Sequence, residues 1–274
     1  MTADHAPADD VSADDGLDVW IDGDSPLLID VPHAGTYMPP ALRAQMTPIA
    51  QNVPDADWHV HLLYGFAGEV GASLMAATHA RYVVDLNRDP QGAALYPGAD
   101  NSERVPLLSF DREPLYAGAA PDAAEVERRM ARYWTPYHRR LRQRLDAIRA
   151  RHGHAILLDA HSIRSAVPRF FDGRLPDLNL GTADGTSCPA GLRDAAFAVL
   201  QRSDFGAVRD GRFKGGYITR HYGRPQDGVH ALQLEIAQAC YMDEQPPWPW
   251  DARRAQPLQQ VLRRLVDVLL RWTP

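Results

Sequence analysis

Cysteine is almost missing from this chain. Cys188 and Cys240 are the only two, too few for a disulfide framework and without the paired spacing of a structural zinc site. Both read as reduced, partly buried thiols. Long apolar runs are missing too: none approaches the ~20 residues that cross a bilayer, so no membrane partner is expected. The first residues carry neither the basic nor the apolar segment of a secretory signal, which makes a reducing cytoplasm the default setting. Positive charge is in deficit. With 29 basic against 35 acidic residues the net charge is -6, which argues against a nucleic-acid partner, although arginines can still line a local pocket for an anion. No Walker loop, dinucleotide fingerprint or G-x-S-x-G elbow occurs; Gly215-Gly216 lacks the spacing, and Ser162 beside His161 lacks the context of a nucleophile.

What is there is ordinary globular material, 45% apolar and 23% charged over 274 residues, enough for one large domain or two small ones. Residues 1–16, rich in Ala and Asp, read as a solvated acidic tail. No repeat or linker divides residues 17–274, which read as a single domain. Short apolar runs at Leu27–Val31, Arg81–Leu86, Ala155–Ala160 and His230–Ile236 read as strands. Helical patterns run over Trp58–Met75, weakened by Gly65, Gly68 and Gly71, and over Val126–Ile148, where Pro136 should kink or split the helix. Further helices are expected over Pro189–Leu200 and Leu258–Trp272, and long loops over 89–121 and 163–187. The alternation predicts an α/β fold, a mixed, mostly parallel sheet with helices on both faces.

The informative residues lie at the strand ends. The first strand runs into Pro32-His33-Ala34-Gly35, the second into Asp85-Leu86-Asn87-Arg88 and the third into Asp159-Ala160-His161, while the fourth carries Gln233 and Glu235. Ligands of open α/β sheets bind beyond the carboxyl ends of strands. A lone histidine there is usually a satisfied hydrogen-bonding residue, but Asp159 and His161 share a face if the strand continues, and a carboxylate beside a ligating histidine is a usual arrangement. Two such histidines and a nearby carboxylate make the three protein ligands of a catalytic zinc site. Glu235, flanked by Leu234 and Ile236 in a covered strand, must be paired, ligating or catalytic. Arg88 either pairs with Asp85 or Asp89, or, with Asn87, grips a substrate carboxylate through its planar fork.

Taken together, VPHAG at 31–35, DADWHV at 55–60, DLNRDP at 85–90, LDAHS at 158–162, LPDLNLGT at 175–182, FKGGYITRHYG at 213–223 and LQLEI at 232–236 resemble the N-formylglutamate amidohydrolase (deformylase) family over most of residues 25–245. The resemblance implies hydrolysis of N-formyl-L-glutamate to L-glutamate and formate at the end of a histidine-degradation route. It also implies a fold similar to zinc carboxypeptidases and aspartoacylases, one zinc ion, Asn87-Arg88 on a substrate carboxylate and Glu235 as base. Those relatives take two ligands from His-x-x-Glu, whereas the fourth position here is Thr36. The metal set implied is therefore His33, His161 and a carboxylate from the Asp-rich segment, Asp57, with Asp55, His59 and Glu69 as alternatives. A diacid substrate calls for a second cationic contact. Arg164, Arg220 and His221 are the candidates, Arg169 a weaker one, against their plain reading as solvated surface groups. Two other functions compete: a zinc hydrolase of the same fold acting on another N-acyl amino acid or a short peptide, and a non-catalytic protein that binds an acidic ligand.

Overall fold

A computed structural model describes residues 16–274; residues 1–15, and with them nearly all of the expected tail, lie outside the described residues. The strands are β1 (Asp18–Ile21), β2 (Leu27–Val31), β3 (Ser73–Ala77), β4 (Ala155–Ile163), β5 (Leu178–Gly181), β6 (Ala207–Arg209) and β7 (Val229–Ala237). The helices are α1 (Pro40–Arg43), α2 (Val60–Leu63), α3 (Ala123–Arg129), α4 (Thr135–His152), α5 (Ala190–Gln201), α6 (Tyr217–Tyr222) and α7 (Ala252–Arg271).

One 7-stranded sheet has the order β1-β3-β2-β4-β7-β5-β6. Its middle, β3-β2-β4-β7, is parallel. β1 closes one side antiparallel to β3, and β5 lies antiparallel to β7 with β6 parallel to β5. This is the mixed, mostly parallel sheet expected. Strand alternation here chooses between two covered faces, since every residue of β4 and β7 is buried. On one face Ile29, Leu158 and Leu234 pack against Leu192 of α5 and Leu262 and Leu265 of α7. On the other, Leu28, Leu157 and Ala231 pack against Tyr137, Leu141 and Leu145 of α4. Towards the carboxyl ends this second face turns polar: Asp30, Asp159, His161, Gln233 and Glu235 are all buried there. No helix among the described residues is long and apolar enough to cross a membrane.

Two sequence expectations are corrected. Arg81–Leu86 is not a strand: Val83 N–H closes a turn onto Ala80 O, and Asp85 N–H bonds to Arg104 O. Its apolar residues are buried in the second cluster, and a short apolar run reports burial without specifying extended structure. The place beside β2 belongs to β3, cut from the end of the helix expected over Trp58–Met75. That helix breaks into α2, a 3-10 turn at Ala67–Val70 and β3, with Gly71 left-handed at φ 76° between the last two. The stripe over Val126–Ile148 is helical but interrupted. α3 and α4 join through a π-helical turn, Met130–Trp134, and Pro136 lies in the first turn of α4. Proline cannot donate to the carbonyl four residues back, and the wide turn takes up the mismatch. The expected loop over 163–187 contains the short strand β5.

Candidate metal and active centre

Three neighbouring strands deliver the site. His33 follows the end of β2 by two residues, β4 brings Asp159 and His161, and β7 brings Gln233 and Glu235. In register Asp30 faces Asp159 and His161 faces Glu235. Glycine is required at position 35 because a Cβ there would collide with the Thr78–His79 backbone; the turn after β2 is thereby pressed against the exit of β3. Asp57 arrives from the segment that follows, held by its N–H on His33 O at 3.0 Å.

His33, Asp57 and His161, all buried, each offer a ligand atom within 4.8 Å of the others. Behind the first imidazole, Nε2 of His33 donates to Asp85 Oδ1 at 2.8 Å. Nδ1 of His161 lies 2.9 Å from Asp57 Oδ2, and its Nε2 lies 2.8 Å from both Asp159 Oδ1 and Asn87 Nδ2. Each histidine thus has one ring nitrogen turned to the cluster and the other turned to a carboxylate, the arrangement that fixes ligating imidazoles. Arg81 occupies the remaining edge, with Nη2 donating to Asp57 Oδ1 at 3.0 Å and to His33 Nδ1. A nitrogen that accepts from a guanidinium is unprotonated, the state in which imidazole ligates. Burial, and then the Arg81 charge, lower the His33 pKa. Burial works against the Asp85 charge, but Arg88 and His33 hold that carboxyl well below the usual range. Burial also pulls His161 down, yet Asp159 and Asp57 raise it well above an ordinary histidine. The chemistry of this donor set fits a divalent ion. It offers two imidazoles and a carboxylate, and the buried carboxyls of Asp57, Asp85, Asp159 and Glu235 crowd around one buried arginine, Arg81, with Arg88 beside Asp85.

The other residues considered for the second ligand lie elsewhere. Asp55 accepts from Tyr82 Oη at 2.6 Å and Phe110 N at 2.9 Å. His59 is left-handed at φ 64° and bonds Trp248 O at 2.8 Å. Glu69 pairs with Arg263 at 2.7 Å.

A cavity of about 70 Å³ opens over the cluster, lined among others by His33, His161, Asn87, Arg88 and Glu235. Burial pushes the Glu235 carboxyl up to about 8, with Asp57 and Asp159 adding to the rise. Asn87 is clamped: its Oδ1 accepts from Ile218 N at 2.8 Å, and a Cβ on Gly216 would collide with its amide. Gly216 N in turn donates to Gln233 Oε1 at 2.7 Å. The Gly-Gly motif after β6 therefore serves to seat Asn87. Arg88 is anchored through all three nitrogens, with Nε on Ser102 O at 3.1 Å, Nη1 on Asn87 O at 3.1 Å and Nη2 on Ser102 Oγ at 2.7 Å. Arg164, Arg220 and His221 do not line this cavity. Arg164 pairs with Asp111 at 2.9 Å, Arg220 bonds Gly215 O at 2.8 Å, and His221 stacks on Tyr217 at 4.8 Å between ring centroids. Arg169 is tied to Asp100 at 2.9 Å. The cavity holds instead two arginines that strand-end reasoning passed over: Arg81, which opens the segment read as a strand, and Arg212. The only signal for Arg212 in the sequence is its place directly before Phe213-Lys214-Gly215-Gly216.

A sequence model of the N-formylglutamate amidohydrolase family matches residues 25–242. The chain belongs to that family. It is thereby a hydrolase of amide C–N bonds. It is 49% identical to an N-formylglutamate deformylase of Pseudomonas aeruginosa over 252 residues, covering 91% of this chain and 94% of the relative. With an N-formylglutamate deformylase of Pseudomonas putida it is 46% identical over the same shares. A crystal structure of N-formylglutamate amidohydrolase from Ralstonia eutropha JMP134 superposes with a TM-score of 0.79 at 28% identity, covering 93% of this chain and 98% of that one. The gene product Atu2144 of Agrobacterium tumefaciens shares the fold, with a TM-score of 0.71 at 17% identity.

Proposed function

We propose that this chain hydrolyses N-formyl-L-glutamate to L-glutamate and formate with the help of one divalent ion, zinc by its donor set, as the last step of a histidine-degradation route. The observation that carries the reading is the buried cluster His33, Asp57 and His161 with Glu235 directly across from His161, on the cavity that also presents Asn87 and Arg88. The curated relatives are named for this activity. The two free, buried cysteines, whose thiols burial pushes up, suit the reducing cytoplasm as its setting.

His33, Asp57 and His161 would hold the ion, which would supply Lewis acidity to a water and to the formyl carbonyl. The protein's own groups do the rest. Glu235 takes a proton from the attacking water and delivers it to the amide nitrogen, which leaves poorly unless protonated. Asp85 and Asp159 keep the two imidazoles oriented. Arg88 and Asn87 hold a substrate carboxylate beside the reacting bond.

The test is metal analysis of the purified protein combined with formate release. Zinc near one equivalent, with hydrolysis of formylglutamate well ahead of acetyl- and succinylglutamate, is the expected result. Faster turnover of another N-acyl amino acid moves the chain to the neighbouring amidohydrolase reading. Binding of acidic ligands without turnover leaves it a binding protein.

A further inference from the structure

We propose that Arg212 is the residue that selects a glutamate side chain, gripping the distal carboxylate of the substrate while Arg88 holds the one next to the scissile amide. The proposal rests on the deformylase reading above and adds to it the source of side-chain specificity.

Two carboxylates on one small substrate need two cations in one cavity, and three arginines line it: Arg81, Arg88 and Arg212. Arg81 is committed to Asp57 and His33. Arg88 lies against the reacting end. It directly follows Asn87, whose amide touches His161, and stands 3.8 Å from Asp85, the carboxylate behind His33. Arg212 differs in kind. Its Nε donates to Phe170 O at 2.5 Å, which fixes the plane of the guanidinium. Its terminal nitrogens meet no hydrogen-bond acceptor and no carboxylate among the described residues. Of the acidic side chains on the cavity, Asp100 is already taken by Arg169 at 2.9 Å and Arg112 at 2.8 Å, and Glu235 belongs to the reacting end.

The surroundings of Arg212 are aromatic. Its guanidinium carbon lies 4.9 Å from the Tyr96 ring centroid, 5.2 Å from Phe213 and 6.0 Å from Phe170. Rings on several sides hold the half-buried cation in place without neutralising it, so its charge remains available to an incoming anion. Phe170 and Phe213 join the small cluster of Phe110, Ile163, Val167 and Leu175, which starts at the last residue of β4, just past the strand ends that carry His161 and Glu235. A substrate with its formyl group at those strand ends and its α-carboxylate on Arg88 has its side chain free to run towards that wall. A glutamyl side chain ends in an anion, the partner Arg212 lacks.

The experiment compares N-formylglutamate with N-formylglutamine, a neutral analogue of the same shape, in wild type, Arg212→Gln and Arg212→Lys. Wild type should prefer the diacid by about 100-fold in kcat/KM, as expected for one desolvated charge pair. Arg212→Gln should lose most of that preference through the diacid alone, leaving the rate on formylglutamine nearly unchanged, and Arg212→Lys should restore part of it. Inhibition by glutarate, which reads binding without chemistry, should weaken in parallel, and an unchanged melting temperature shows that the fold is kept. A preference that survives in Arg212→Gln overturns the proposal while leaving the deformylase reading intact. So does a wild type that treats the two substrates alike. A wild type that hydrolyses neither overturns both.

Discussion

His161 and Glu235 are direct partners across the β4–β7 pair. Neighbouring strands are ~4.8 Å apart, so a candidate ligand and a candidate base sit one strand spacing from each other on one face. Replacing Glu235 with Gln keeps the size and removes the proton acceptor. Turnover should fall roughly 10²- to 10⁴-fold with metal content unchanged. Wild-type activity should also fall as pH drops through the Glu235 pKa, since only the ionised carboxylate accepts a proton. That limb should lie below the value of about 8 that burial gives the ion-free site, because a nearby cation favours the charged form. Loss of the ion from Glu235→Gln would move Glu235 into the ligand set and defeat its assignment as base.

Arg81 makes a specific prediction about metal removal. It already places a cation on Asp57, so chelation should abolish activity and leave a folded protein, and zinc should restore it. In Arg81→Met the stripped form loses the guanidinium from the buried Asp57 and keeps only His161 as its ionic partner, at a cost of up to about 3–5 kcal/mol, whereas in the zinc-loaded form the ion takes the place of the lost charge. Melting curves with and without zinc read the difference. An equal loss in both would show that Arg81 and the ion do not share a role. His161→Ala should fold and bind little zinc.

Arg88→Lys keeps the charge and loses the fork. With Nε and Nη2 both on Ser102, a lysine also releases that loop. We expect kcat/KM on formylglutamate and formylglutamine to drop together, by about 10-fold or more, at constant metal content. A selective loss on one of them would assign Arg88 to the other carboxylate.

Stability should fall in acid for a reason outside the site. His138 stacks on Trp134 at 3.8 Å between ring centroids, donates Nε2–H to Leu86 O at 2.8 Å and has Tyr222 Oη on Nδ1 at 3.0 Å. Burial lowers its pKa from 6.5 to about 3. The unfolded chain therefore binds a proton that the folded one refuses between those values. Below pH 6.5 this histidine should cost about 1.4 kcal/mol per pH unit, down to about pH 3. His138→Gln should flatten the melting temperature against pH in that window. An identical slope in the variant would show that the acid sensitivity arises elsewhere.

The parallel centre of the sheet and the residues it delivers were readable because β2, β4 and β7 are continuous apolar runs that end in His, Asp and Glu, and a buried strand leaves such groups no bland use. β3, Ser73–Ala77, was not readable, since its small residues match a helix as well as a strand and only the space beside β2 decides. The edge strands β1, β5 and β6 are 4, 4 and 3 residues long, too short for periodicity to register. Asp57 could be named from the family pattern alone; what brings it to His33 is a loop hydrogen bond that leaves no trace in spacing. Arg212 escaped because an arginine in a loop looks solvated until its aromatic neighbours are known, and Arg81 because it opens a run that reads as a strand, where nothing in the sequence marks its buried partners.

The π-helical turn at Met130–Trp134 makes the stretch between α3 and α4 unusually tolerant of a change in length. Such a turn amounts to one surplus residue accommodated inside a helix. Removing one residue from it would let the ladder close as ordinary α-helix while Tyr137, which donates to Asp30 at 2.6 Å, and His138 kept their headings. The same deletion a few positions later, inside α4, would turn every following side chain by about 100° and carry Leu141 and Leu145 off the sheet. Chains of this family that differ by one residue between the first long loop and β4 therefore have a place to absorb the difference without disturbing the floor of the site.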